Sequence, residues 1–568
     1  MNGGKFVLLQ RELQKLMKKW LKWMGIAVLS PLLLFIILAA LLYLPPVQNW
    51  VVQKVTAIAS EKTGMEISVG HVNLEWPLDL GINDFRVLHQ NDSLPQVKDT
   101  IADIRKLVVN VRLLPLFSKK VVIEELSLQQ SKINTNGFIS DLRIKGEFDK
   151  LWLSSNGIDL SQETVEVNGA RLSDAHIDIT LSDTAAIDTT ESSLMWKIFA
   201  DSLSFTRSRL TLTLPGDTTT TNIWFGKAVA RKADINLATE TYKVGSLEWR
   251  DGSLGYAPMA VTGISLGADS ICYSPKGTSL FVRQSAFKLN LSDGRGLQIT
   301  EMTGGLSLDS AFNHIRMPLM SLRTPDSNIM AEADMDFNVF DGQHPGVMKL
   351  RLFAQVGKQD LFALTGQLPQ KFTQHFPAHP LIIRGSIDGN MDHMKLTGID
   401  IDLATAVHAT LKGTIDHMTD LRRMKADIKI DAKTKSLNFM TALLDPEMSN
   451  VIRIPDGITL NGHLTANGTK YSADLTAHEG SGSIRMNGSA TIPLDAKDEF
   501  VTDMTSYDAD ISIKDLNVHH FLPKDSIYTL TADMKASGYG TDLLSPKSRL
   551  TADARILALQ YGNGTLTI

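Results

Sequence analysis

Residues 106–113 read KLVVNVRL, and their pattern decides the fold class of the chain. Every second residue is apolar, namely Leu107, Val109, Val111 and Leu113. Alternate side chains share one face of a β-strand, so this period predicts a strand with one apolar face. The same period recurs in later segments, among them 177–181, 210–214, 287–291, 428–430 and 511–513.

Turn-forming residues separate these segments. Clusters of Gly, Asn and Asp lie between the predicted strands, which is typical of antiparallel connections. Long helical patterns are nearly absent after residue 64, which argues against strands and helices that alternate around a parallel sheet. The chain is 43% hydrophobic and 21% charged, as folded proteins are. We therefore expect a mainly β fold, an elongated and repetitive antiparallel sheet with a few short helices.

An internal repeat occupies the C-terminal third. Short segments led by Leu361, Leu437 and Leu516 lie 76 and 79 residues apart, and each precedes a strand that contains glycine. Further glycines recur in step, at Gly385, Gly462 and Gly538, and again at Gly413, Gly488 and Gly564. Such repeats stack on their neighbours into a solenoid. Because the strand pattern continues to Ile568, we expect an N-terminal piece of a longer protein, or a last edge that pairs with another chain.

The apolar strand faces need cover, because each apolar side chain left in water forgoes roughly 1.5–3 kcal/mol. Amphipathic helices are too few to supply a covering layer. Two arrangements remain open, either two sheets packed face to face or one sheet curled around an apolar groove suited to acyl chains. In the second arrangement, the predicted lining includes Leu107, Val109, Val111, Leu113, Leu210, Leu212, Leu214, Ile428, Ile430, Ile511 and Ile513.

Residues 24–44 form an apolar segment near the N-terminus. The stretch from Met24 to Leu44 carries no charge and would span ~31 Å as a helix, about one hydrocarbon core. Six basic residues and one acidic residue precede it, and the next basic residue is Lys54. The positive-inside rule therefore places residues 1–23 in the cytoplasm and the rest outside it. The segment is longer than the core of a cleaved signal peptide and runs into Pro45, which favours a retained anchor.

The following segment, residues 45–64, has apolar residues spaced for one face of a helix. Pro46 suits the start of a helix and Gly64 suits its C-terminal cap. A helix that caps the end of the sheet is favoured over one that lies on the membrane surface. The polar face lacks the excess of Lys and Arg that is usual in membrane-surface helices.

Motifs for catalysis and metal binding are incomplete. The stretch GISLG at 263–267 matches a nucleophile elbow, but strand-like residues follow where a helix is required. The other candidates lack a required glycine or further ligands, namely Asp334-x-Asp336-x-Asn338 as a calcium loop and the pairs His375/His379 and His519/His520. We expect no catalytic residue, no cofactor and no metal site.

Composition narrows the function classes further. The single cysteine, Cys272, excludes an internal disulfide framework and a four-cysteine zinc site. A net charge of -5 supplies no basic field for nucleic acid. Aromatic residues make up only 7%, which argues against the sugar-stacking platform of a carbohydrate-active enzyme on a membrane stalk. We expect a protein that is not an enzyme.

The start of the chain combines several features in a fixed order. An apolar anchor is followed by a helix that ends in EKTG at 61–64, by a glycine-containing strand, and by EWPLDLGINDFRVL at 75–88. The key positions are Thr63, Gly64, Ile67, Val69, Gly70, Val72, Leu74, Trp76, Pro77, Leu78, Leu80 and Ile82. Together they resemble the AsmA-like family, in particular its TamB (translocation and assembly module) subgroup. KKVVIEELSLQQSKI at 119–133 is similar to the family's next strand pair, so the specific likeness covers roughly residues 20–140.

This resemblance implies a periplasmic protein anchored in the bacterial inner membrane by Met24 to Leu44, with a long apolar groove. The implied function is the transport of phospholipids between the inner and outer membranes. The alternative is a scaffold for assembly or secretion of outer-membrane proteins, acting with an Omp85-type barrel partner. The family's C-terminal domain, which would meet that partner, is not recognisable in this sequence.

The expected organisation has five parts. Residues 1–23 form a cytoplasmic basic segment, 24–44 a transmembrane anchor and 45–64 a capping helix. Residues 65–345 form an AsmA-like β-groove, and 346–568 form three repeats of ~76 residues that continue it.

Overall fold

The computed structural model describes residues 53, 56, 57, 60, 61 and 64–567, apart from 76–78, 91–95, 97, 113–121, 136–141, 160–162, 182–195, 214–219, 257–258, 292, 312, 342–343, 366–367, 444–450 and 541–546. Within these residues the chain is mainly β with few helices, as predicted. It divides into two compact units, Met1–Ala238 and Thr239–Ile568. Among the described helices, none has the length and apolar character needed to cross a membrane. The predicted anchor, residues 24–44, lies outside the described residues.

The end of the predicted helix at 45–64 is partly described. Gln53, Thr56, Ala57, Ser60 and Glu61 are helical. The N–H of Gly64 donates to the carbonyl oxygen of Ser60 at 3.0 Å, and Gly64 has a φ of 68°. A left-handed residue at this position is the usual reason for glycine at a helix end, so the prediction of a C-terminal cap at Gly64 is confirmed. That this helix covers the end of the sheet stays a prediction.

The first unit contains nine described strands, β1 (Glu66–Ser68), β2 (His71–Glu75), β3 (Asp79–Gln90), β4 (Lys98–Arg112), β5 (Val122–Asn134), β6 (Leu142–Asp159), β7 (Thr164–Leu181), β8 (Lys197–Thr213) and β9 (Thr220–Asn236). Both β1 and β2 pair with β3, and β3 to β7 form an antiparallel series. The strand predicted around Gly70 is therefore interrupted. A Cβ at Gly70 would lie 3.0 Å from Cβ of Asp84, so glycine permits this close approach.

One strand pair contradicts the predicted antiparallel sheet. Strands β7 and β8 are parallel, with Ile177 opposite Leu210 and Ile179 opposite Leu212, while β8 and β9 are antiparallel. Residues 182–196 separate the two parallel strands. Parallel neighbours need a connection of about a dozen residues or more, and this polar segment is long enough to return the chain. The sheet of the first unit is therefore mixed.

The second unit begins with β10 (Thr241–Tyr256), β11 (Met259–Ser274), β12 (Gly277–Leu291), β13 (Gly296–Asp309), β14 (His314–Arg323) and β15 (Asn328–Asp336). It continues with β16 (Met348–Val356), β17 (Leu381–Gly389), β18 (His393–Leu403), β19 (Val407–Asp416), β20 (Lys425–Thr434) and β21 (Thr459–Asn467). It ends with β22 (Lys470–Glu479), β23 (Gly482–Thr491), β24 (Ser506–Asn517), β25 (Ile527–Tyr539), β26 (Arg549–Tyr561) and β27 (Gly564–Thr567). Each of these strands is antiparallel to the next.

Short helical segments interrupt this series at regular places. The α-helices are α1 (Lys358–Thr365) and α2 (Gln370–His375), and the 3-10 helices are η1 (Phe337–Phe340), η2 (Asn438–Leu443), η3 (Thr502–Met504) and η4 (Val518–His520). A helical segment follows each of β16, β20 and β24. Four strands follow each of the first two segments, with η3 before the fourth strand of the second set, and three described strands follow the last segment. Leu361 lies in α1, Leu437 directly precedes η2 and Leu516 lies near the end of β24, so one sequence repeat corresponds to about four strands with a helical segment. The predicted domain boundary at 345 and 346 lies inside the second unit and stays a prediction.

The recurring glycines occupy equivalent strands. Gly385, Gly462 and Gly538 lie in β17, β21 and β25, the first strand after each helical segment. In the pairing register, Gly462 lies between Ile430 and Leu475, and a Cβ at Gly462 would be 2.4 Å from Cδ2 of Leu475. Glycine at this position therefore leaves room for a large apolar neighbour on the same face.

Candidate functional site: an apolar sheet face

Apolar side chains of the second unit line up across neighbouring strands in three rows, two residues apart along each strand. The first row contains Ile329, Ala354, Ile383, Ile401, Ala409, Ala432, Leu460, Ala477, Ile484, Ile513, Ala532 and Ile556. The second contains Ala331, Leu352 and Gly385 and, from β19 onward, Leu411, Ile430, Gly462, Leu475, Met486, Ile511, Met534 and Ala554. The third contains Ala333, Leu350, Ile387, Leu396, Gly413, Ile428, Leu464, Ala473, Gly488, Ala509, Ala536 and Ala552. These three rows are termed the apolar strip.

The opposite face of the same strands is polar. One row on that face contains Asp334, Lys349, Asp388, Lys395, Thr414, Asp427, Thr465, Ser472, Ser489, Asp508, Ser537 and Thr551. Cross-strand ion pairs form there, such as Arg351 with Glu332 at 3.2 Å and Arg485 with Asp474 at 3.5 Å. Exposed pairs of this kind add little stability, but they mark the face that is suited to water.

The apolar strip is only partly shielded. Ala354 and Ala532 are buried, but Ile428, Ile430 and Ile511 are half-buried, and Ile556 is 39% exposed. Most of the described strip residues keep part of their surface exposed to solvent, and only a few are buried. A continuous, partly exposed apolar surface marks an interaction site more often than a scatter of single apolar residues does.

Compact apolar clusters flank the strip at both ends of the strands. At one end Val339, Met348, Met391 and Met394 are buried, and Leu350, Ile387 and Leu396 of the third row pack against them. This group is termed the methionine edge. At the other end Phe372, Leu403, Ala406 and Phe439 are buried, with Leu381 and Val407 packed against them. This second group is termed the phenylalanine edge.

Helical segments build the phenylalanine edge. The ring of Phe372, in α2, lies 5.6 Å from that of Phe439 in η2, measured between centroids. Phe376 contacts both Phe362 of α1 and Phe439, with centroid distances of 5.3 and 5.4 Å and edge-on geometry. Such contacts stabilise the cluster beyond the burial of area. The recurring Leu-led segments of the sequence lie near these clusters. Neither edge, however, was predicted from the sequence as part of the candidate site.

The predicted lining residues fall into two groups. Ile428, Ile430, Ile511 and Ile513 all lie in the apolar strip. In the first unit, Leu107 and Val109 lie on β4, and Leu210 and Leu212 on β8. Val111 lies on β4 without a described side chain, and Leu113 and Leu214 lie outside the described residues. Their role in lining a lipid path stays a prediction.

The first unit has apolar rows of its own. Leu107 lies opposite Ile82 and Leu128, and that row continues through Leu151, Leu172, Phe205 and Ala228. A second row on the same strands includes Val109. Its other members are Leu80, Leu126, Leu153, Ala170, Leu203 and Ala230. The ring of Phe205 is 36% exposed and lies 5.5 Å from that of Phe225. This unit therefore also presents an apolar face with exposed aromatic surface.

A line of unpaired positions with positive φ crosses the strands of the first unit. Asp84, Gln130, Asp174 and Arg207 have φ values of 54°, 50°, 53° and 47°, and the strand pairing skips each of them. Arg207 donates two hydrogen bonds to the Asp174 carboxylate, at 2.7 and 2.6 Å, and lowers the pKa of that carboxyl. The Arg207–Asp174 ion pair therefore joins the parallel strands β7 and β8 where their pairing is interrupted.

His314 joins two carboxylates on the polar face of the second unit. Its Nδ1 lies 2.5 Å from Asp336 and its Nε2 lies 2.8 Å from Asp334. The hydrogen bond with Asp336 raises the pKa of His314 and lowers that of Asp336. The second carboxylate oxygen of Asp336 accepts the N–H of Val347 at 2.8 Å. These groups hold neighbouring strands together, and among the described residues no three His, Cys, Asp or Glu side chains are placed to hold a metal ion.

The remaining sequence motifs occupy strand or helical positions. The stretch 263–267 lies wholly inside β11, which continues to Ser274, so the strand-turn-helix geometry of an elbow is not formed there. In α2, the Nδ1–H of His375 donates to the carbonyl oxygen of Lys371, 2.8 Å away. His520 contacts Glu479 at 2.8 Å, while His519 stacks on Tyr528. Each of these histidines therefore has a structural contact.

No protein-family model matches the chain, and no curated protein matches it in sequence. The family resemblance therefore stays a prediction that rests on the residues quoted above.

Proposed function

We propose that this chain carries phospholipids across an aqueous gap, with the acyl chains lying on the apolar strip. The observation that carries the proposal is the register, which keeps the first and third apolar rows aligned over successive strands from β15 to β26 and the second row aligned from β19 to β26. The proposal places the chain in the bacterial periplasm, anchored in the inner membrane by residues 24–44 and related to the AsmA-like family. Transport between the inner and outer membranes is the proposed role.

The width of the strip supports acyl chains as the occupant. From the first row to the third is four residues along a strand, or ~14 Å at ~3.4 Å per residue. One leaflet of a bilayer has a hydrocarbon thickness of ~15 Å, half of a core of ~30 Å. An acyl chain laid along the strands would therefore fit between the methionine edge and the phenylalanine edge.

The composition of the strip also suits a fluid ligand. Large residues such as Ile430 and Leu475 alternate with small ones such as Gly462, so the surface of the apolar strip is uneven. A folded partner would have to match this relief with side chains of complementary size to pack well. Flexible acyl chains adapt to it, and each methylene removed from water contributes about 0.8 kcal/mol.

A photo-crosslinking pair tests the proposal. A benzophenone amino acid replaces either Ile430, on the strip, or its neighbour Asp431, which is exposed on the opposite face. The full-length chain is irradiated in bacterial cells, and its adducts are identified by mass spectrometry. We expect phospholipid adducts at position 430 and few at position 431.

The alternative role, a scaffold for outer-membrane protein assembly with an Omp85-type barrel, predicts a different outcome. Protein adducts at either position, with no lipid adducts at position 430 in folded protein, would refute the lipid proposal. Equal lipid labelling at both positions would show that the probe reports membrane proximity and not occupancy of the strip.

A further inference from the structure

The phenylalanine edge carries a small polar pocket beside its aromatic cluster. The pocket has a volume of about 340 Å³ and is lined by His375, Pro377, Thr405, Ser436, Asn438 and Phe439. Its lining includes hydroxyl, amide and imidazole groups, and it contains no carboxylate. Phe439 belongs to the buried cluster of the phenylalanine edge, so the pocket joins polar groups directly to apolar packing.

Cations lie close to this pocket. The Nζ of Lys435 donates to the carbonyl oxygen of Ala404 at 2.6 Å, and these residues adjoin the lining residues Ser436 and Thr405 in the chain. Lys358 likewise bonds a carbonyl, that of Phe376 at 2.9 Å. A carbonyl partner leaves the positive charge of a lysine uncompensated, whereas a carboxylate would neutralise it.

The methionine edge differs in its polar surroundings. Asp392, beside Met391, and Asp416, at the end of β19, pair with His417 and His393 at 3.1 and 2.6 Å. Carboxylates therefore lie near this edge, whereas none lines the pocket at the phenylalanine edge, and a nearby carboxylate disfavours a phosphate because like charges destabilise each other at close range. The two edges of the strip are therefore unequal, and an anion is favoured at the phenylalanine edge.

We propose that the pocket at the phenylalanine edge receives the phosphate-bearing headgroup of a lipid whose acyl chains cross the strip toward the methionine edge. This inference rests on the proposed lipid function and adds an orientation to it. Phosphate oxygens accept hydrogen bonds from hydroxyl, amide and ammonium donors, the groups present here. The strip width of ~14 Å sets the reach of the acyl chains from that pocket.

A labelling experiment tests the orientation on the full chain reconstituted in vesicles of phosphatidylethanolamine and phosphatidylglycerol. One phospholipid probe carries a diazirine in the headgroup and another carries it near the end of an acyl chain. We expect the headgroup probe to label residues 371–377 and 435–443, and the acyl probe to label β17 to β20 near the methionine edge. Labelled peptides are located by mass spectrometry.

A variant pair then assigns the contact. Lys435→Gln combined with Ser436→Ala removes a charge beside the pocket and a hydroxyl from its lining, both at exposed positions. Lys433→Gln, in β20 just before these residues and also exposed, is the matched control. A hydrogen bond to a charged group contributes about 1.5–3 kcal/mol, so we expect headgroup labelling of 435–443 to fall about tenfold or more in the first variant only. Acyl labelling of β17 to β20 should stay within about twofold in both variants, because neither variant changes a residue of the apolar strip.

The outcomes separate this inference from the function on which it rests. Two outcomes would overturn the orientation alone while acyl labelling of the strip persists. One is headgroup labelling at the methionine edge, and the other is headgroup labelling of 435–443 that the variant leaves unchanged. Absence of acyl labelling from the strip would overturn the lipid function itself. Titration of the full chain in detergent with inorganic phosphate tests whether the pocket binds free phosphate and not a lipid headgroup. Saturable binding of free phosphate that Lys435→Gln abolishes would identify an anion site and overturn the headgroup assignment.

Discussion

A lysine introduced into the second row of the apolar strip should displace lipid without unfolding the sheet. Ile511 is the chosen position, because it is half-buried between Met486 and Met534 on the neighbouring strands. Ile511→Lys introduces one charge into the second apolar row. The matched control is Ser537→Lys, since Ser537 is exposed on the polar face of the adjacent strand.

The expected magnitude follows from the burial of the side chain. Full burial of an isoleucine contributes about 1.5–3 kcal/mol, so a half-buried Ile511 contributes on the order of 1 kcal/mol to folding. Lysine can extend its charged end toward water, which limits the loss of stability. An acyl chain over this position would lose contact for two to three methylenes, or about 2 kcal/mol at ~0.8 kcal/mol each. That loss corresponds to a roughly 30-fold weaker local affinity.

The assay measures both quantities on the same samples. The full chain is reconstituted in vesicles with the acyl-diazirine phospholipid, and labelling of β23 to β25 is quantified by mass spectrometry. Urea unfolding followed by circular dichroism reports stability. We expect labelling to fall by an order of magnitude in Ile511→Lys and to be preserved in Ser537→Lys. A folded Ile511→Lys protein with full labelling of these strands would contradict the assignment of the strip as a lipid path.

Two further predictions concern stability. A Cβ at Gly413 would lie 1.9 Å from the carbonyl oxygen of Asp427, so Gly413→Ala should cost about 3 kcal/mol, whereas Gly564→Ala at the start of β27, with its nearest atom 3.5 Å away, should be nearly neutral; similar urea midpoints for both would contradict the close approach of the strands at Gly413. The hydrogen bond to Asp336 raises the pKa of His314, so its contribution is full below the unfolded pKa of about 6.5 and is lost as pH rises through the higher folded pKa. Wild-type protein should therefore lose more stability than His314→Gln between about pH 6 and pH 8, and parallel pH profiles would refute this role.

Local periodicity predicted the strands because one face of each strand meets water and the other does not. Ile428 and Ile430 alternate with exposed residues 427 and 429, and both isoleucines lie on the predicted strand face. Pairing partners are not encoded in that way. Nothing in the period of Ile177 indicates that its neighbour is the parallel residue Leu210, because the direction of pairing depends on the connection between the strands.

The unpaired positions with positive φ and the two edges escaped prediction for a related reason. Asp174 and Arg207 read as ordinary polar residues of alternating strands, yet both adopt positive φ, and their ion pair joins two strands that meet only in the folded sheet. Phe372 and Phe439 lie far apart in sequence and meet only when α2 and η2 fold onto the same end of the strands. Such features arise from contacts between segments, and the pattern within one segment does not contain them.

The alignment of strands gives the apolar strip a property that no single strand has. One residue of register slip would move every apolar side chain of a strand to the opposite face. The rows nevertheless stay apolar through successive repeats, and Gly462 and Gly488 stand within them where larger residues lie on one or both neighbouring strands. A second protein layer packed on the strip would by itself require such an alignment. Here the strip is half-exposed, and the alignment nevertheless persists. A mobile hydrocarbon ligand requires a continuous apolar surface of this kind.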